Sequence, residues 1–372
     1  MLQQDTEGVV HPTHTSQLPL NSSTDEEPDL EGFREISPEA ITLAIFCALS
    51  YEVVAVKYSL DEEFRCRSMG AGPQKYIYSF RRIRSHSLVI ARPSQIGTVN
   101  AAQCAANVSQ QFPNVPFALV VGIGAGIPNP FTRDIRLGDI AVGIPQDNHP
   151  RVVQYDFGKC EGNGFVLKVP LNKPPSILIS ADRSLEEDEM MDRNPLRRIL
   201  RNIAKKPGFK RPDTGDNLFK GDFNHIEKGS DCTECLASGT AKLVLCDIRY
   251  RKDPVVPRGL ILSGNGVIKN PQDRQRLCRE YSNEICFEMQ AAGIADEVPC
   301  LVVRGICNYA DTHKQDGWHY FAAAAAASYC KAVLCKFDSK SLEGISNMRH
   351  SMNKAMTVVQ DTQLYVTHLI PL

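Results

Sequence analysis

The stretch Pro299-Cys-Leu-Val-Val-Arg-Gly-Ile-Cys-Asn-Tyr-Ala-Asp311 constrains this chain more than any other. Leu301-Val302-Val303 is apolar without alternation and is bounded by Pro299 and Gly305, which predicts a short strand buried on both faces. Arg304, Asn308 and Asp311 then fall just past its carboxyl end, where open α/β sheets bind ligands. The plainer reading is a core strand followed by an ordinary solvated loop.

Other buried runs share this character. Ile41 to Leu49 reads as a strand leading into a helix that starts near Glu52, and Phe80–His86 and Ser87–Ala91 read as two strands of a meander. Gly97 to Phe112 reads as a helix, with Ala101, Ala102, Ala105 and Ala106 placed to pack closely on a sheet. Phe117–Val121, Gly138–Gly143 and Gly259–Ser263 are further strands. A helix over Pro271–Tyr281 and an Ala-rich helix over Phe321–Phe337 complete the regular pattern. Strands alternating with helices predict an α/β fold, a three-layer sandwich around a central mixed β-sheet.

Residues 1–38 are rich in Ser, Thr, Pro, Asp and Glu and predict a disordered arm. The ordered domain is expected over 39–337, with an irregular insertion at about 147–257 and a polar tail over 338–372. Within the insertion, a basic helix is expected near Leu196–Lys206.

The chain has 372 residues and a net charge of −1, so nothing in it calls for nucleic acid or an anionic membrane as partner. No apolar run is long enough to span a bilayer, and the polar N-terminus lacks the apolar core of a secretory signal. Most of the 13 cysteines sit in apolar runs, Cys246 among them, a pattern of buried thiols in a reducing, cytoplasmic setting. Cys232-Thr-Glu-Cys235 has metal-like spacing but no second pair of matching form, so the sequence reading assigns no metal and no cofactor.

Gly122-Ile-Gly124-Ala-Gly126 invites a dinucleotide reading, but the spacing is G-x-G-x-G, and Pro128, Asn129 and Pro130 prevent a helix from starting there. A glycine-rich wall that lets a sugar or anion approach the backbone is the functional reading, and a tight turn is the structural one.

Six segments in order carry a resemblance: Cys47-Ala-Leu-Ser-Tyr-Glu52, Val121–Gly126, Gly138-Asp-Ile140, Leu262-Ser-Gly264, Phe287-Glu-Met289 and Arg304–Asp311. Together they resemble the nucleoside phosphorylase/nucleosidase superfamily, closest to the fungal branch often fused to signalling domains. The resemblance covers about residues 40–336, including Tyr155-Asp-Phe-Gly-Lys159. It implies cleavage of an N-glycosidic bond through an oxocarbenium-like transition state, with a small nucleoside-like molecule as ligand and a homo-oligomer, a dimer, as assembly.

The resemblance also assigns roles. Glu52 matches the glutamate that orients and deprotonates water in nucleosidases, although a carboxylate there also suits a helix start. Val120 stands where phosphorylases carry a phosphate-binding arginine, which favours hydrolysis over phosphorolysis. Arg92 remains available to a phosphate. Glu288-Met289-Gln290 matches a ribose-holding Glu-Met-Glu, with Gln290 in place of the second glutamate. Asn308 matches the aspartic acid that protonates the purine. An amide keeps the shape and an acceptor but cannot transfer a proton. Asp311 is structural more often than catalytic in that pattern. Ser94, Gly124 and Phe287 join the substrate-binding set, and Val267 and Ile268 would face the base. Two readings follow: a purine nucleosidase, or a descendant without glycosidase chemistry whose pocket binds or transforms another small molecule.

Overall fold

The computed structural model describes residues 34–67, 75–129, 132–145, 151–161, 164–167, 171–227, 232–238, 242–279, 281, 283–313 and 316–342. Of the expected arm over 1–38, residues 1–33 lie outside the described residues, as do residues 343–372 of the expected tail over 338–372. Order begins earlier than Ile41: Glu35–Ile36 (β1) pairs in parallel with Glu63–Cys66 (β3).

Leu43–Phe46 (β2) leads into Ser50–Ser59 (α1), and Ser79–Ile83 (β4) returns antiparallel to His86–Ala91 (β5). Thr98–Gln111 (α2) follows, then Ala118–Gly126 (β6) and Ile140–Gly143 (β7). Val152–Gln154 (β8), the hairpin Gly158–Glu161 (β9) with Gly164–Leu167 (β10), and helices Ser176–Met190 (α3), Leu196–Ile203 (α4) and Thr233–Ala237 (α5) come next. Arg258–Ser263 (β11), Pro271–Cys278 (α6), Glu284–Glu288 (β12), Ala291–Glu297 (α7), Cys300–Asn308 (β13) and His319–Leu334 (α8) complete the order.

The mixed sheet has two parts. A wing runs β1-β3-β4-β5-β2 and joins β6. From β6 the pairing passes through β12, β11 and β7 to β13, and β13 pairs back onto β6, so these five strands form a closed circuit. Closure is possible because β13 is long: it pairs with β6 from Cys300↔Ala118 to Asn308↔Ala125 on one side, and with β7 over Val303–Gly305 on the other.

Two expectations change with it. Arg304 lies mid-strand and fully buried, not past the strand end. The three glycines also belong to a strand, not to a turn or a loop wall. A β-carbon at Gly122 would run into Arg304 Nη1 and Glu52 Oε1, and one at Gly124 into Cys286 Sγ and the Phe287 carbonyl. The glycines make room for neighbouring protein groups inside the circuit.

Helix α8 is buried along nearly its whole length and packs on β6 and β13, with α1, α3 and α4 against it. Its alanines allow very close approach: a β-carbon at Gly305 would overlap the Ala322 carbonyl. Helix α2 packs chiefly on α7, where Gly293 lies against the Thr98 carbonyl, so its small residues serve a helix–helix contact more than the sheet. Ala101 and Ala105 are buried, whereas Ala106 is exposed.

The described parts of the stretch 147–257 are more regular than its composition suggests. Strand β8 joins β11 in the sheet, and α3 and α4 bury Leu178, Ala181, Leu185, Leu196, Ile199, Leu200 and Ile203. Arg258 on β11 holds Asp182 of α3 at 3.0 Å and Glu189 at 3.1 Å, tying this stretch to the sheet. Most described cysteines are buried thiols, while Cys246 is exposed.

Candidate functional site

The site is built where α1, β6, β12 and β13 meet. Glu52 sits at the third position of α1, where the helix leaves backbone N–H groups unsatisfied. Its Oε2 accepts from the N–H groups of Ala48 and Leu49, both at 2.8 Å, and its Oε1 from that of Ile123 on β6, also at 2.8 Å. The helix-start role is therefore filled, and the same carboxylate is drawn onto β6. It is only 2% exposed. Burial pushes its pKa above the ordinary glutamate value, against the opposing pull of Arg304 and the three N–H groups.

Arg304 reaches the same point from β13. Its Nη2 donates to Glu288 Oε2 at 2.5 Å and to Gln290 Oε1 at 3.1 Å. Nη1 and Nε find no hydrogen-bond partner among the described residues, and Nη1 flanks the Gly122 position together with Glu52 Oε1. The Glu288 and Glu52 carboxylates raise the pKa of Arg304 against its burial, so it stays cationic. Glu288 is fixed in turn by the N–H groups of Gln290 (2.9 Å) and Ala291 (3.0 Å) at the start of α7. One buried cation thus serves Glu288, Gln290 and Glu52. With a glutamate at 290, three carboxylates would share one guanidinium, and the amide avoids that repulsion. A narrow crevice bordered by Phe46, Cys47, Ala48, Pro93, Val120, Gln290, Ile294 and Arg304 opens beside this network.

The positions expected to face the base assemble separately. Phe287 and Asn308 both register with Ala125, one from each side of β6, so the three form a row across the sheet. Phe287 and Ala310 share a small apolar cluster with Leu260 and Leu262, and Ile268, Tyr155 and Ala125 pack on it. Tyr155 meets Phe287 edge-on at 5.8 Å and donates to the Gly266 carbonyl at 2.9 Å. Asn308 is turned toward its own loop: Oδ1 accepts from Ala310 N–H at 3.1 Å, and Nδ2 lies 3.2 Å from Cys307 Sγ. That bond supports the left-handed backbone of Ala310 (φ 52°). Asp311 is buried, accepts from His313 N–H at 2.9 Å, and has its pKa raised by burial.

Of the other expected positions, Met289 is half-buried beside Glu288, and Gly124 is enclosed, with its carbonyl 3.4 Å from Cys307 Sγ. Ser94 is exposed next to the crevice residue Pro93. Val267 is 53% exposed and stands apart from the apolar cluster that Ile268 joins. Val120 is buried in β6 between Phe46 and Val302, with no basic side chain at that position. Arg92 is exposed, its Nη1 donating to Ser50 Oγ at 2.6 Å. Arg304, placed past the strand end in the sequence analysis and given no role there, is the further residue of the site. Its signal was a lone basic residue continuing an apolar run, opposite glycines on a neighbouring strand.

Comparison with known proteins bears on the fold. No family model matches the chain. It is 34% identical over 310 residues to a nucleotide-binding leucine-rich repeat (NLR)-like protein of Hyaloscypha variabilis, a match covering 83% of this chain and 30% of that protein. Over 78 residues it is 35% identical to the ATP nucleosidase Cap17 of Escherichia coli, covering 20% of this chain and 15% of the relative. The chain therefore spans less than a third of the length of either curated relative. Among solved structures, futalosine hydrolase of Helicobacter pylori superposes with a TM-score of 0.51 at 16% identity, covering 80% of this chain and 99% of that one. The 5′-methylthioadenosine/S-adenosylhomocysteine nucleosidase of Neisseria meningitidis, in complex with methylthio-immucillin-A, gives the same score, identity and coverage. The motif order, the mixed sheet and these superpositions agree: the chain has the fold of the nucleoside phosphorylase/nucleosidase superfamily.

Proposed function

We propose that this chain is a nucleoside N-glycosidase that acts on a purine nucleoside or nucleotide by hydrolysis. The carrying observation is the placement of Glu52 beside Arg304 at the Gly122 position. A carboxylate held by three backbone N–H groups, with its pKa raised by burial, is suited to take a proton from water. The neighbouring Nη1 of Arg304 supplies a donor that orients that water. Glu288, Met289 and Gln290 would hold the sugar. Charge developing on the ribosyl group would meet the Glu52 and Glu288 carboxylates, partly offset by Arg304. The apolar row Phe287, Ala125 and Ile268, with Asn308 at its end, would hold the base. Buried Val120 supports water over phosphate as nucleophile. The short match to an ATP nucleosidase adds a nucleoside triphosphate to the substrates worth trying.

Incubation with adenosine, inosine, guanosine, 5′-thio nucleosides and ATP, with and without phosphate, tests the reading by chromatography of the products. Free base together with the unphosphorylated-C1 sugar (ribose, the 5-thioribose or, from ATP, ribose 5-triphosphate), in amounts independent of added phosphate, is expected. Absence of turnover on the whole panel would overturn it.

The second reading, a pocket without glycosidase chemistry, draws on Asn308, whose side chain is engaged by its own loop and carries no transferable proton. The double variant Gln290→Glu/Asn308→Asp separates the two. A loss of existing activity supports a native amide-tuned enzyme. A gain of about 10²-fold or more from near zero supports lost chemistry, as expected for restored acid catalysis.

A further inference from the structure

We infer that the insertion carries a zinc site to which His225, Cys232 and Cys235 supply three ligands. One ligating atom from each of the three residues lies within 4.8 Å of the other two. Cys235 is fully buried and Cys232 nearly so. Both ring nitrogens of His225 are buried without a hydrogen-bond partner among the described residues, a state that costs free energy unless something is bound there. Cys235 Sγ also accepts from the Ile226 N–H at 3.4 Å, the kind of backbone contact that steadies a thiolate.

The chemistry of the set selects the ion. Two thiolates and a neutral imidazole are the ligand types of structural zinc sites, and their charge offsets that of a divalent cation, so the assembly can be buried. Among the described residues, the apolar core around it is small. It consists of Phe219, Cys232 and Cys235 with Phe223 packed on them, and α5 has five residues. So small a core is of the size that metals commonly staple.

The site also reaches the loop after β13. The His225 N–H donates to Thr312 Oγ1 at 3.0 Å, and His313 stacks on Phe219 with ring centres 3.9 Å apart. Thr312 and His313 directly follow Asp311, so zinc would clamp the insertion onto the loop that follows Asn308.

The test uses the full chain, purified under reducing conditions without chelator, with metal measured by plasma mass spectrometry. About one zinc per chain is expected, and less than about a tenth of that in Cys232→Ser/Cys235→Ser. Chelation should lower the melting temperature and added zinc restore it. Because the double variant can fail to fold, cobalt is also exchanged into the wild-type chain, where thiolate-to-cobalt charge-transfer absorption is expected. Folded wild-type protein that takes up no zinc, cobalt-loaded protein without that absorption, or a Cys232–Cys235 disulfide in the reduced preparation would each overturn the inference. None of these readouts depends on nucleoside cleavage.

Discussion

Replacing Arg304 by methionine removes the cation on which the buried network rests. The side chains of Arg304 and Glu288 are both 0% exposed and 2.5 Å apart. The variant therefore strands a carboxylate out of water and takes the opposing charge away from Glu52. Breaking a buried pair by deleting one partner costs about 3–5 kcal/mol. Unfolding entropy of about 2.1 cal/mol/K per residue over about 300 ordered residues gives roughly 0.6 kcal/mol/K, so the melting temperature should fall by about 5–8 °C. Scanning fluorimetry reads this directly, and urea titration checks it. The diagnostic control is Arg304→Met with Glu288→Gln, which removes both charges. Because the penalty in the single variant is an uncompensated charge, the double variant should regain at least about 1 kcal/mol, or about 2 °C. A single variant that melts within about 1 °C of wild type, or a double variant less stable than the single, would refute the reasoning.

Glu52→Gln should lower nucleoside hydrolysis by about 10²–10⁴-fold while the fold persists, measured as kcat/KM beside a circular dichroism spectrum. In the wild type, kcat/KM should fall with acid at a pH above the 4.5 of an unperturbed glutamate, because burial raises the pKa of Glu52. The sign for stability is opposite. The raised pKa contributes stability that is full below 4.5 and lost as pH rises through the folded value. Gly305→Ala should destabilise by about 3 kcal/mol or more, since its β-carbon meets the Ala322 backbone, which cannot rotate away; chemical denaturation reads this.

The elements were legible where apolar runs were long and unbroken, as in β2, β5, β6 and α8. The motif order then pointed to the fold. Amphipathic α3 escaped because its buried Leu178, Ala181 and Leu185 are interleaved with Asp and Glu, and Asp182 is itself buried against Arg258 and Tyr329. The end of β13 escaped because Arg304 and Gly305 look like strand breakers. They continue the strand only because Gly122 leaves room for the guanidinium and α8 presents alanine to Gly305. The pairing of Glu52 with Ile123 depends on a register that no local pattern states. His225 is seven residues from Cys232, outside any common short zinc spacing, and only the fold of the insertion brings them together.

A hoop of strands cannot widen at one seam without breaking ladder bonds at another. Beneath the site, β6, β12, β11, β7 and β13 are joined in this way, so the floor that carries Arg304 and Glu288 is stiff. Under the proposed function, room for a substrate would come from the connecting segments beside the circuit. Residues 264–268 are held by individual bonds, such as Asn265 to Asp156 at 2.8 Å and to Thr98 at 3.0 Å, each worth about 1 kcal/mol. Under the proposed function, movement would fall to these connecting segments and constancy to the charged floor.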